Sequence, residues 1–189
     1  MPTADPTPHR LFQQAWPEGE YRMFQLGFVV DDLLAATDRW VRVFGVGPFH
    51  VMPRVSSSCR YRGTDSYVDI HIAVAQAGPV QIELIQDFTD GPSVFRDVHG
   101  LHQVSTLTRD YDGKKAHYER MGYEPVCELT SPGQRVAFYD TLEDFGFFTE
   151  VVEEKPSFQA NLSNISRTCA DWDGADPIRI LTRDGYRTP

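Results

Sequence analysis

FQLGFVVDDLLAATDRWVRVFGVGPF, residues 24–49, reads as a strand that feeds a helix. Residues 24–30 form an apolar run rich in β-branched and aromatic side chains. Asp31-Asp32 follows, and either carboxylate suits the free N–H groups of a helix start. Leu33, Leu34, Ala36, Thr37, Trp40, Val41 and Phe44 then recur at helical spacing, with Asp38, Arg39 and Arg42 on the opposite face. Gly45 stops the helix where a positive φ is needed, and Gly47-Pro48 turns the chain into a second extended run at 49–55.

Further strands are expected at 66–75 and 80–86. A polar loop with Ser56, Ser57, Ser58 and Gly63 precedes the first, and a turn at 76–79 joins the two. Within 66–75, Val68, Ile70, Ile72 and Val74 alternate with Asp69, His71 and Ala73, so one face is apolar and the other partly polar. After a turn-rich linker at 88–100 the pattern restarts. A strand at 101–108 meets Asp110, which caps a helix carrying Ala116, Tyr118 and Met121 and closed by Gly122; strands follow at 124–130, 134–141 and 147–153, the first two joined by a turn at Ser131-Pro132-Gly133. Strand, helix, three strands therefore occurs twice, with helix-ending glycines at Gly45 and Gly122 and a Glu inside the last strand of each half, in QIELI and FTEVV. The expected fold is α+β, two tandem βαβββ modules at 22–87 and 101–154. A proline-rich arm at 1–21, anchored by Leu11, Phe12 and Trp16, precedes them. A tail at 155–189 follows, in which a helix at 158–169 turns Leu162, Ile165 and Cys169 inward and breaks at Trp172-Asp173-Gly174.

The 189 residues, 41% hydrophobic and 24% charged, suit one globular domain or two small packed modules. A net charge of −9 argues against a general nucleic-acid or anionic-membrane surface. Cys59, Cys127 and Cys169 are widely spaced and fit neither a disulfide framework nor a structural zinc site, which points to a reducing compartment. No apolar run approaches the ~20 residues of a membrane span, and residues 1–10 lack a signal-peptide core; a cytoplasmic protein is expected.

These pieces together resemble the vicinal oxygen chelate superfamily, which includes glyoxalase I, methylmalonyl-CoA epimerase, extradiol dioxygenases and bleomycin-resistance proteins. The resemblance rests on FQLGFVVDDLLAA, the GVGPF turn, VQIELI, then GLHQVS and GFFTEVVEE, and covers about residues 22–154. It implies that the two halves form a partly open barrel or cup around a divalent metal held by the first and last strand of each half. Those positions here are Gln25, Glu83, Gln103 and Glu150, with His102 competing with Gln103 if the register slips by one. Related enzymes usually carry histidine where this chain has Gln25 and Gln103. Two amides and two carboxylates suit Mg, Mn or Ca better than Zn or Fe, or leave the cup without a metal, and they argue against an extradiol dioxygenase.

Within that resemblance, Glu83 and Glu150 are the candidate acid/base pair, because burial and like charge raise a carboxyl pKa toward neutrality. The competing reading makes each a solvated outward residue of a half-buried strand. Gln25 is either a substrate-orienting group or an amide satisfied in the core. Gln103 and His102, adjacent on one strand, are expected to point opposite ways, with Gln103 toward the site. His71, between Ile70 and Ile72, is a candidate proton carrier or an ordinary structural histidine. No cysteine sits in a basic pattern, and no GxGxxG or GxxxxGK[ST] phosphate loop occurs.

The expected function is carboxylate-mediated proton abstraction from a small carbonyl-containing or aromatic molecule, as an epimerase, isomerase or lyase. The alternative is non-catalytic sequestration of a small molecule, as in bleomycin-resistance proteins. The repeated modules and apolar tail also lead us to expect a homodimer.

Overall fold

The computed structural model describes residues 21–131 and 134–189. The expected anchors Leu11, Phe12 and Trp16 and the expected turn residues Pro132 and Gly133 lie outside the described residues. The first half holds β1 (Tyr21–Val29), α1 (Leu33–Phe44), β2 (Phe49–Val51), β3 (Val55–Tyr61), β4 (Thr64–Ala77) and β5 (Val80–Asp87). The second holds β6 (Gly100–Thr108), α2 (Tyr111–Arg120), β7 (Pro125–Ser131), β8 (Gln134–Tyr139), the short α3 (Leu142–Phe145) and β9 (Phe148–Glu153). The chain finishes with α4 (Pro156–Ala170), β10 (Ile178–Thr182) and β11 (Gly185–Arg187).

Eight strands close into a barrel, in the order β1-β5-β4-β3-β7-β8-β9-β6 and back to β1. Each half contributes four consecutive staves, with its first strand parallel to its last: β1 to β5 and β6 to β9. The halves meet at two antiparallel seams, β1–β6 and β3–β7. The fold is thus α+β, and closure removes the exposed strand edges that an open sheet must otherwise protect.

The local signals act as the sequence predicts. Asp32 caps α1, its carboxylate accepting from Ala35 N, and Gly45 ends it at φ 64°. Asp110 caps α2 by accepting from Gly113 N. On α1, Leu33 and Thr37 are buried and Ala36, Trp40 and Val41 pack partly against the same layer as Ala73 and Leu84 on the outside of the barrel. Leu34 and Phe44 depart from expectation and face solvent, because a helix lying on a curved wall buries a narrower stripe than its apolar residues span.

Two further corrections concern strands. The run Ser56–Ser58 is not a loop: it lies within β3, paired residue for residue with β4, and the turn is at Arg62-Gly63. Only Cys59 of β3 is buried, so the strand carries little hydrophobic signal. The tail adds a β10–β11 hairpin to its helix. β10 runs parallel to β2, which in turn pairs with β4 beside β3.

Segments outside the ring close both ends of the barrel. At one end the 88–100 linker inserts Val94 and Phe95, which join Val29, Val68, Phe138 and Phe148 in the core. At the other, α4 presses Leu162 and Ile165 inward; burying two such side chains contributes roughly 1.5–3 kcal/mol each. His50 ties this end together, its ring contacting Thr168 Oγ1 of α4 at 2.8 Å and Tyr186 Oη of β11 at 2.9 Å. Between the two plugs lies the site.

Candidate active site

A cavity of about 190 Å³ occupies the barrel beneath α4. Strand alternation decides what lines it. Inward positions come at every second residue, and the register aligns them in two rungs: Gln81, Gln25, Ser105 and Glu150 on one, Glu83, Gly27, Gln103 and Phe148 on the other. Gln25, Gln81, Glu83 and Glu150 line the cavity from this polar half, beside Ile72, Val74 and Val136.

β6 holds both carboxylates. Gln103 Nε2 donates to Glu83 Oε2 at 3.0 Å, and the Ser105 hydroxyl donates to Glu150 Oε2. Gln103 reaches Glu83 over Gly27, where a Cβ would stand 2.2 Å from its nitrogen. Burial, followed by the nearby charge of Glu150, pushes the Glu83 carboxyl well above the usual carboxylate range, with Gln103 pulling the other way. Burial raises Glu150 as well, against the Ser105 bond. Two such carboxyls near one another resist joint ionisation.

Gln103 and His102 do not exclude each other. Gly27 pairs with Gln103 and Phe28 with Leu101, which leaves His102 as the extra residue of a β-bulge. The bulge breaks the strict alternation, and His102 Nδ1 bonds Gln103 Oε1 while Nε2 lies 2.9 Å from the Val94 carbonyl. Its ring is buried among Phe95, Phe138 and Phe148, so it stands behind Gln103 and away from the cavity. Both ring nitrogens face oxygens, an arrangement that only the imidazolium matches fully, yet burial lowers the His102 pKa.

His71 is elsewhere. It pairs with Gln86, whose side chain bonds Leu33 N and Asp31 O at the start of α1, and it alternates with the cavity-lining Ile72. It therefore faces the helix layer, not the cup. Gly27, Gln81 and Ser105 escaped the sequence reading. Each lies two residues from a position already chosen, and that spacing is the signal that finds them.

The profile of the glyoxalase/bleomycin resistance protein/dioxygenase superfamily matches residues 24–138. The chain belongs to this superfamily. Similar solved structures include a methylmalonyl-CoA epimerase from Mycobacterium tuberculosis, at 18% identity over 74% of this chain and 91% of that one, TM-score 0.49. Others are a methylmalonyl-CoA epimerase in complex with methylmalonyl-CoA and NH4+ (19%, 72% and 96%, TM-score 0.48) and a hypothetical protein from Bacillus halodurans C-125 (14%, 71% and 94%, TM-score 0.49). No curated protein matches the chain.

Members of the superfamily typically bind a divalent metal ion. Of the four positions implied for it here, three are held in a way that does not fit one. Gln103 turns its N–H2 toward Glu83 and its oxygen toward His102, and the Ser105 hydroxyl occupies Glu150. Among the described residues no three His, Cys, Asp or Glu converge.

Proposed function

We propose that this superfamily member is an isomerase or epimerase that moves a proton on a small carbonyl compound, using Glu83 and Glu150 as its acid/base pair. One observation carries the reading: two carboxyls on different staves open into one cavity, both displaced toward neutrality by burial. Such a pair supplies a base and an acid at the same pH.

In the reaction, the ionised carboxylate takes a proton from the carbon next to the carbonyl; the C–H bond breaks and its electrons pass to the carbonyl oxygen. The protonated carboxyl then returns a proton to carbon, and the electrons flow back to form the new C–H bond. The pair ends with its proton exchanged between the two groups, and solvent or the reverse turnover resets it. N–H groups of Gln25 and Gln81 are placed to donate to the oxygen while it carries charge. Ser105 and Gln103 position the two carboxyls without touching the reacting atoms.

The cytoplasmic, homodimeric setting expected from the sequence belongs to this reading; no helix among the described residues is long and apolar enough to cross a membrane. The test is deuterium uptake from D2O at the carbon next to the carbonyl, across a panel of small ketones, amides and lactams. Uptake by the wild type should fall about 10²- to 10⁴-fold in Glu150→Gln and in Glu83→Gln. Tight ligand binding with no uptake by the wild type would replace catalysis with sequestration.

A further inference from the structure

Gln81 is fully buried at 0% exposure, lines the cavity, and has no hydrogen-bond partner among the described residues at either Oε1 or Nε2. A buried amide left unmatched costs on the order of 1–3 kcal/mol, so this one calls for completion by a guest or by water. Its neighbours narrow the guest. Glu83 and Glu150 face the same space, and among the described lining residues there is no lysine or arginine to receive an anion. A cation would bring donors only and leave the Gln81 N–H2 unmet. Ile72 and Val74 on β4, next to the Glu83 strand, and Val136 on β8, next to the Glu150 strand, add apolar surface suited to a ring. The volume, about 190 Å³, exceeds the ~150 Å³ of a cavity that accepts benzene.

We infer that the cavity selects an uncharged, single-ring molecule bearing a carboxamide or lactam group, whose N–H and C=O pair with the Gln81 amide while its ring lies on Ile72 and Val74. The inference rests on the reading of this cavity as the functional site and names the substrate class within it. The amide–amide pair would satisfy donor and acceptor together and fix the carbonyl in the polar half beside the carboxyls.

Calorimetric titration at pH 7 with benzamide, benzoate, benzamidinium and toluene separates the chemistries without requiring turnover. Benzamide should bind wild-type protein at least about tenfold more tightly than the two ions, and Gln81→Leu should lose about tenfold or more for benzamide while toluene binding holds or improves. Binding by Glu150→Gln should persist, so failure of the proton-transfer chemistry leaves this result intact. Should Gln81→Leu not fold, the side-chain amide resonances of Gln81 in isotopically labelled wild-type protein should shift with benzamide and not with toluene. Equal or tighter benzoate binding overturns the inference. So does indifference of benzamide to the loss of Gln81, or absence of any probe from the cavity, which would mean that water alone completes the amide.

Discussion

Gln103 donates to Glu83 at 3.0 Å across a gap that only glycine leaves open, since Gly27 is the Cα partner of both. The placement of Glu83 therefore depends on a residue that bears no chemistry of its own. Gly27→Ala would drive a methyl into the Gln103 amide, and overpacking of this kind costs about 1–3 kcal/mol. Urea unfolding should show that loss; unchanged stability would mean that Gln103 has another place to go.

Ser105→Ala removes the hydroxyl that opposes the burial of Glu150, so the Glu150 pKa should rise further. If Glu150 is the base, the pH at which deuterium uptake switches on should move upward by up to about one unit. A profile that only drops in height, with its midpoint fixed, would assign Ser105 a purely structural part.

Carboxyls raised in the folded state retain protons that the unfolded chain releases from about pH 4.3 upward. Their contribution to stability is thus full in acid and declines as pH climbs toward the folded-state pKa. Glu150→Gln removes the Glu150 share of this dependence and the part of the Glu83 share that comes from the charge of Glu150. The variant should melt with the wild type near pH 4 and above it at pH 8, by roughly 2–4 °C for each kcal/mol relieved. Lower melting than wild type at pH 8 would mean that the ionised Glu150 is stabilised by a partner.

Treatment with a chelator should leave the melting temperature within about 1 °C and should not diminish deuterium uptake, because three of the four expected ligands, Glu83, Gln103 and Glu150, are engaged with one another or with their neighbours. Mg or Mn restoring activity after chelation would overturn that view.

The fold was legible wherever a signal is local. Asp32, Gly45 and Asp110 punctuate the helices, and the two Glu-bearing strands mark the repeat. β3 was hidden because its serines face neither core nor helix, and only pairing with β4 and β7 makes it a strand. β10 was hidden because its partner β2 lies more than 120 residues upstream. Within the site, the family resemblance and not period two pointed to Gln25, Glu83 and Glu150, and all three line the cavity. Strict alternation failed at His102, where the bulge lets neighbouring side chains touch, and no single-strand pattern announces a bulge.

Because α4 is covalently part of the chain, it acts on the barrel mouth as a tethered competitor. A guest within about 190 Å³ fits beside it, whereas a larger one must lift Leu162 and Ile165 out of the wall and outcompete a helix present at an effective concentration in the millimolar range. Size discrimination then depends on a helix outside the two repeated modules. Changes at Leu162 or Ile165 should broaden the range of accepted guests while leaving the proton chemistry in place.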